Sequence, residues 1–473
     1  MISLITLLLP AVLLLTVRLL HNWGKLKTVP GPIAASFSDF WRAFYMYKGK
    51  LRSKLAELHQ KHGTLVRYGI NCVSISDPAA ITTIYASRAK FTSADSYKTL
   101  IGVSNGKEVY TVISAPDQLH AALRRSVAGA FTPTAVLDYE KYIDQTIPEL
   151  LEELEKRKTF DFAEMMTFYS MDTASHFAFS ETLGCLRSGS DVGNMIGTVR
   201  ERFLYWGRWG SLPHLERLIY RNPITLHLPR TPSNMVKLAA SKLQTRITEL
   251  SKSSDNEEKK DDLLQRYLDA STRYPDTLNT TGIVGMLMST ISGAGDTTAG
   301  TVGATFYYLL KNPDTLTKLR MELRDAGVPL IPTYGQIRDL PYLDAVIKEA
   351  MRLFPLINLP LERVVPDGGV TIAGHFFRQG TTLGVLPSVI HRNEAVFGED
   401  VEAFRPDRWL EAGPEKLRMM EAAHMGFSRG KRACLGQHIA LLQMKKLIPA
   451  LVMKMDVSVT LYLPAGNDEL MSS

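Results

Sequence analysis

A mainly helical protein with a minor β-rich region and an N-terminal membrane-spanning helix is what the sequence predicts, on three observations. The run from Ile2 to Val17 is almost wholly apolar; extended by Leu19 and Leu20 it reaches roughly 27 Å as a helix, just enough for a bilayer core. Thr281 to Lys311 reads as one helical run ended by Asn312-Pro313, roughly 46 Å long and able to cross a whole domain. The β-rich stretches are short: Thr64–Gly69 and Cys72–Asp77, separated by Ile70-Asn71, form a hairpin by pattern.

The 473 residues suffice for one large domain or two ordinary ones, and 45% hydrophobic with 22% charged residues is a globular composition with a substantial core. A net charge of +7 is modest for this length. No basic run is interleaved with stacking aromatics, so nucleic acid is not indicated. A basic docking face for an acidic protein or for anionic lipid stays open. Cys72, Cys185 and Cys434 are too few and too scattered for a disulfide framework or a zinc site, which fits a reducing compartment.

At the N-terminus, a cleaved signal peptide would want positive charge before the apolar run and a small-residue cleavage site after it. Instead Arg18, Lys25 and Lys27 follow the run, leaving the remainder in the cytoplasm by the positive-inside rule. Pro30-Gly-Pro32 then stiffens and turns the chain. Leu51–His62 is an amphipathic helix ended by Gly63, and Asp77-Pro78 starts another. Asp95–Ser114, rich in Gly, Ser and Asn, reads as an irregular loop. Pro116–Arg125 is helical, with His120 and Arg124 on one face, which alone is an ordinary exposed basic face. Leu137–Phe179 has helical periodicity. Phe203, Tyr205, Trp206, Trp209 and Tyr220 form an aromatic concentration that on its own is core, and Ser251–Asp262 is a solvated polar loop.

Within the long helix, Gly293-Ala-Gly-Asp-Thr-Thr298 places two glycines and two threonines where they weaken the helix and favour a local opening. Two readings stand side by side: a glycine-mediated helix crossing with back-bonded threonines, or an acid beside an alcohol, suited to holding water and passing protons into an apolar cavity. Leu343–Phe354 is helical with Glu349 and Arg352 three apart, a pairing common on surfaces. Near the C-terminus, Phe427-Ser-Arg-Gly-Lys-Arg-Ala-Cys-Leu-Gly436 sets Cys434 in a glycine-punctuated loop before the apolar run Ile439–Ile448. A thiol beside a helix N-terminus, flanked by Lys431 and Arg432, meets a field that favours thiolate. Gly430 permits a backbone closed to other residues, and Gly436 clears the helix start for a flat ligand. An isolated cysteine here would be a small core residue.

The whole pattern F-x-x-G-x-R-x-C-x-G, from Phe427 to Gly436, resembles the haem-binding loop of the cytochrome P450 family. Other motifs occur in that family's order. His120 and Arg124 match its H/W-x-x-x-R motif, Gly293–Thr298 its A/G-G-x-D-T-T motif, with Ala294 a mild departure, and Glu349–Arg352 its E-x-x-R motif. Phe404-Arg-Pro-Asp-Arg-Trp409 matches its P-E-R-F-type motif. The resemblance covers nearly the entire chain. It implies a mainly α cytochrome P450 fold: transmembrane anchor 1–20, linker and proline-rich hinge 21–47, and a haem-thiolate catalytic domain 48–473.

By the same resemblance, Cys434 is the axial ligand of haem b iron. His120, Arg124, Arg363 and Arg432 hold its propionates, with Phe427 and Gly436 against the cofactor. Thr297 supports dioxygen, with Asp296 as its proton-relay partner. Arg408 joins Glu349 and Arg352 in a structural network. Asp95–Ser114 and the aromatic segment become walls and roof of the substrate pocket, with Met286, Ser289, Leu356 and Leu359 as candidate lining. Arg124, Arg125, Lys416, Arg418, Arg429, Lys431, Lys445 and Lys446 become a dock for an NADPH-dependent flavin reductase. A lone His391 is read as a satisfied structural residue rather than an iron ligand.

The implied activity is a monooxygenase on the endoplasmic reticulum membrane, anchored in lipid by a single pass. It would use O2 and two electrons to oxidise an apolar small molecule, and the HRN and FRPDRW phrasing looks like fungal secondary-metabolite members. A haem-thiolate isomerase or dehydratase, and a non-catalytic haem-binding membrane protein, are the alternatives; the Asp296–Thr297 pair favours the first reading. One departure concerns the end of the chain: after Met455–Leu463 a polar tail follows where the family continues into a substrate-contacting hairpin, so that hairpin is either shortened or cut off.

Overall fold

The computed structural model describes residues 4–104, 107–157, 159–227, 231–252 and 260–455, and most of these are helical. The N-terminal run forms a helix, Leu4–Lys25, yet no helix among the described residues is long and apolar enough to cross a membrane. This element therefore does not meet the expectation of a transmembrane helix. Arg18, His21, Asn22 and Lys25 enter before a bilayer core is covered, and the apolar part from Leu4 to Val17 reaches only roughly 21 Å.

The far end of that helix is fastened to the body. Buried Arg67 donates to the carbonyls of Asn22 (2.6 Å) and Trp23 (3.0 Å), and also to those of Ser36, Gly69 and Ile70. One guanidinium thus satisfies carbonyls that a helix end leaves without partners. The stretch between helix and domain carries two further short helices, Ile33–Phe37 and Phe40–Tyr47, and its Leu26 and Val29 pack into the same apolar cluster as the sheet.

Nine short strands are described: β1 (Leu65–Gly69), β2 (Cys72–Ile75), β3 (Thr92–Ser93), β4 (Gly102–Ser104), β5 (Lys107–Val109), β6 (Arg363–Val364), β7 (Val370–Ile372), β8 (His375–Phe377) and β9 (Thr382–Val385). β1 and β2 make the expected hairpin. β2 continues in parallel to β9, and β6 and β3 follow antiparallel, giving the order β1-β2-β9-β6-β3. Every residue of β2 is buried, including the polar Ser74, whose hydroxyl is paired with His59 Nε2 at 2.8 Å. The expected irregular loop 95–114 is more ordered than its composition indicated. It holds a 3-10 turn, Asp95–Leu100, and the β4–β5 ribbon, in which Gly102 faces Val109.

The core is built around the helix Thr280–Lys311. Asn279 caps its start, accepting from the Gly282 N–H at 3.0 Å. The helix is continuous through Gly293–Thr298, so the expected local opening is not found. Two causes hold it closed. A Cβ on Gly295 would lie 2.2 Å from Met171 Sδ, so the glycine lets the helix Phe162–Phe179 pack close, and this is the most extensive helix pairing in the fold. The hydroxyls of Ser289, Thr290, Ser292, Thr297, Thr301 and Thr305 all donate back to the carbonyl four residues earlier, so they need no partner outside the helix. Residues 253–259 of the polar loop, and the chain beyond Met455 with the expected polar tail, lie outside the described residues.

Candidate functional site

The Phe427–Gly436 loop closes on itself through the Cys434 N–H, which donates to Phe427 O at 2.8 Å, and through the Ala433 N–H to Gly430 O at 2.9 Å. Ser428 and Gly430 adopt left-handed conformations. At Gly430 the requirement is absolute, because a Cβ would fall 1.6 Å from the Tyr85 carbonyl oxygen. Gly436 then starts the helix Gln437–Lys454.

Cys434 is exposed, yet protein surrounds it closely enough that desolvation pushes its thiol pKa up. A residue with accessible surface whose thiol the protein nonetheless desolvates lies in a recess. The Gly436 N–H and Arg124 pull the pKa down but do not win, so the expected thiolate-favouring field of the flanking cations is not what the sulfur meets. Lys431 and Arg432 have turned away: Lys431 donates to Phe91 O, and Arg432 to Asp117 and Ala115 O. The missing positive charge is what a bound metal cation would supply.

The long helix packs on Gln437–Lys454, the helix that follows the cysteine loop. On this helix Ser289, Gly293, Thr297 and Gly300 keep accessible surface at spacings that put them on one face, and Thr290, Ser292, Ala294, Asp296 and Gly303 are partly accessible as well. A Cβ added at Gly293 or at Gly436 would meet nothing within 4 Å. Both glycines therefore border open room, as a flat group seated on the cysteine loop requires.

At one edge, cations outnumber anions. Arg124 donates to Ala433 O at 2.5 Å, beside the cysteine. Arg363, buried on β6, donates to Glu362 O at 2.8 Å and lies over the Tyr85 ring. Arg432 makes paired bonds to Asp117 Oδ1 at 3.0 and 2.9 Å. His120, 3% exposed, has its pKa pushed down to about 3, first by desolvation and then by Arg432, Arg124 and Arg363; Asp117 opposes them. Among the groups acting on His120, three guanidiniums thus stand against one carboxylate. Such an edge is suited to an anionic ligand with two carboxylates. The four residues expected to hold propionates do come together. Asp117 and Tyr97, whose hydroxyl bonds to Arg363, were missed. A lone Asp in a helix's first turn and a Tyr in a polar loop carry no distinguishing sequence signal.

A family model described as Cytochrome P450 matches residues 30–461. The chain belongs to the cytochrome P450 family. A cytochrome P450 monooxygenase of Aspergillus terreus is 34% identical over 460 residues, covering 94% of this chain and 93% of that protein. Cytochrome P450 monooxygenase pkfB of Emericella nidulans is 32% identical over 456 residues, 94% and 89% of the two chains. Cytochrome P450 monooxygenase mpaDE of Penicillium brevicompactum is 31% identical over 464 residues, but this chain spans about half of its length, 54%. The chain is an enzyme of the P450 monooxygenase class, and the family's cofactor is haem with a thiolate ligand to iron.

In this P450 the acid–alcohol pair divides its attention. Thr297 lies on the accessible face, its hydroxyl proton committed to Gly293 O at 2.5 Å, so lone pairs are left to face the cavity. Asp296 is turned about 100° further round the helix. Desolvation raises its pKa; Arg200 lowers it and Asp191 raises it, so its carboxyl lies towards the helix Met195–Trp209.

The P450 loop is held by a buried network. Glu349 accepts from Arg352 Nε (2.9 Å) and Nη2 (2.8 Å), Arg408 Nε (2.9 Å), Trp409 Nε1 (2.9 Å) and the Arg405 N–H (3.0 Å). The expected Glu349–Arg352–Arg408 triad is present; Trp409 and the Arg405 amide extend it. The aromatic segment is tied to the 3-10 turn by Trp206, donating to Ser96 O at 3.1 Å, and by Arg221, donating to Thr99 O at 2.9 Å. Buried Glu362 joins three further segments, accepting from Arg42 (2.8 Å), Tyr68 (2.6 Å) and Ser96 (2.6 Å).

Of the candidate lining residues, Met286 is core, Ser289 holds the Val112 N–H, Leu356 abuts Gly300, and Leu359 borders the cleft by Arg42 and Trp206. Lys445 and Lys446 leave the candidate dock. Both are buried, paired with Asp344 and with Glu140 and Asp144 respectively, because their helix is buried on every side from Leu442 to Val452.

Proposed function

We propose that Cys434 ligates haem iron and that the chain is a reductase-dependent haem-thiolate monooxygenase of an apolar small molecule in fungal secondary-metabolite biosynthesis. One observation carries this reading: Cys434 keeps accessible surface within enclosing protein, on a loop whose Gly436 borders open room and beside an under-neutralised arginine edge. Bound haem with a thiolate ligand supplies dioxygen binding and O–O cleavage.

The chain's own residues do the rest. Arg124, Arg363, Arg432 and His120 hold the propionates, Arg432 sharing its charge with Asp117. Phe427 and Gly436 border the ring, and Gly436 leaves it room. The Gly436 N–H steadies the sulfur. Thr297 offers lone pairs to a proton donor beside it, while Asp296, its pKa raised by desolvation, exchanges protons with the side that carries Arg200. The clasps from Trp206 and Arg221 to the 3-10 turn exclude water from above.

Two electrons come from an NADPH-dependent flavin reductase docking at the exposed Arg125 and Arg418. The helix Leu4–Lys25 exposes Val12, Leu13, Leu14, Val17 and Leu20, an apolar surface suited to lipid at the endoplasmic reticulum.

A reduced, CO-bound spectrum tests the reading. The parent is expected to give a thiolate-type Soret band and Cys434→Ala to lose it; survival of the band in that variant refutes the ligand assignment. Product formation should require O2 and reductase, which an isomerase would not. Thr297→Ala should consume reducing equivalents with less product, and unchanged coupling refutes its role.

A further inference from the structure

His391 lies outside the cofactor edge and is fully buried, and its ring bridges two segments far apart in sequence. Nδ1 is 3.0 Å from the carbonyl oxygen of Arg352, and Nε2 is 2.8 Å from the backbone N of Met425. These partners determine the protonation. A carbonyl can only accept, so Nδ1 carries the hydrogen; an amide N–H can only donate, so Nε2 carries the lone pair. The imidazole is neutral, in one tautomer, with both nitrogens used. Arg352 returns a bond from Nη1 to the His391 carbonyl at 2.9 Å, so the two residues are doubly joined. His424 stacks on the ring at 5.0 Å and 8°.

Met425 is not an arbitrary partner. Its carbonyl accepts the Ser428 N–H at 2.9 Å, and two residues on, Phe427 O accepts the Cys434 N–H at 2.8 Å. Between them, a Cβ on Gly426 would fall 2.5 Å from Met351 Cε and 2.7 Å from His424 Cε1, so the segment into the loop is clamped from the side as well. A continuous chain of hydrogen bonds and backbone therefore runs from Glu349 through Arg352, His391 and Met425 to Phe427 and the cysteine amide.

We propose that His391 is a positioning residue: its Nε2 lone pair sets the depth at which the Met425–Phe427 segment enters the loop, and thereby the seat of Cys434. This rests on Cys434 being the ligand. The role belongs to an acceptor at one point in space, not to bulk. Gln places a carbonyl oxygen near the position of Nε2, Asn places its polar atoms near Nδ1, and Phe keeps the ring without either.

The test uses the haem-loaded full chain in four forms: parent, His391→Gln, His391→Asn and His391→Phe. It reads the thiolate-type fraction of the reduced CO spectrum per haem, and hydrogen exchange at the Met425 amide. The expected result is near-parental behaviour for His391→Gln. Asn and Phe should lose at least about half of the thiolate-type band and exchange Met425 about tenfold faster, as loss of one buried hydrogen bond implies. Equal loss in Gln and Asn, or full retention in Phe, overturns the proposal. If Phe fails to take up haem, the Gln-against-Asn comparison decides alone. A parent without the thiolate band would instead refute the ligand assignment, so the two failures are distinct.

Discussion

Glu349→Gln removes one charge and almost no volume, and the structure allows its effect to be worked out. The carboxylate is fully buried and takes five donors, three on Oε1 and two on Oε2. If the amide nitrogen replaces the less loaded oxygen, it faces the Arg352 Nε–H and the Trp409 indole N–H, two donors that it cannot accept. The guanidiniums of Arg352 and Arg408, with side chains 0% and 2% exposed, lose their shared counter-charge. Breaking a buried ion pair from one side costs about 3–5 kcal/mol, a large part of the roughly 5–15 kcal/mol that holds a domain folded. We expect about 4 kcal/mol, close to a thousandfold in the folding equilibrium. Equilibrium guanidinium denaturation of the haem-loaded chain, followed by far-UV circular dichroism, measures it. Glu402→Gln is the internal control: that carboxylate pairs with Arg392 but is 70% exposed, and should cost less than about 1 kcal/mol. A Glu349→Gln loss no larger than the control refutes the view that this network holds the loop.

Three other outcomes are expected. Gly430→Ala must displace the loop from Tyr85, so the thiolate-type CO band should be largely lost while far-UV helicity stays near that of the parent; the two spectra together check this. His424 has a pKa lowered to about 4, chiefly by burial. The unfolded chain therefore binds the extra proton between about pH 6.5 and 4, and stability falls as pH is lowered through that window. The share of His424 in the difference between pH 7 and pH 5 should be about 2 kcal/mol, read from denaturation midpoints as the part that His424→Phe removes. Charge reversal at exposed Arg418 or Arg125 should raise the KM for reductase severalfold in a salt-dependent manner, whereas Lys446→Met should lower stability and leave that KM unchanged.

What sequence reasoning could reach follows from how local each signal was. The cysteine loop, the β1–β2 hairpin and the long helix each declare themselves within one continuous stretch, and the structure contains all three. Glu349 and Arg352 share one helix turn, and their motif brought Arg408 with it. Asp117, Tyr97 and Glu362 act through partners tens to hundreds of positions away, and their own neighbourhoods are unremarkable polar sequence. Lys445 and Lys446 were misjudged by their charge alone, although Leu442, Met444, Leu447 and Ile448 around them signalled burial on all sides. The N-terminal run failed as a span because apolar composition was counted without weighing how soon Arg18 and its polar neighbours end it. At Gly293–Thr298 the weak helix formers were correctly noticed, but propensity yielded to the packing of Met171 on Gly295.

The close approaches at glycine also differ in what stands opposite. At Gly430 the facing atom is the Tyr85 carbonyl oxygen, and at Gly285 it is that of Tyr110; neither can be trimmed by changing a side chain. At Gly300 it is Leu356 Cδ1, 2.5 Å from a would-be Cβ, and at Gly295 it is the Met171 sulfur. Volume can be exchanged across these last two pairs, a methyl gained on the helix for a smaller partner opposite. A library that reshapes the cavity should therefore vary Gly300 together with Leu356, and leave Gly430 and Gly285 untouched.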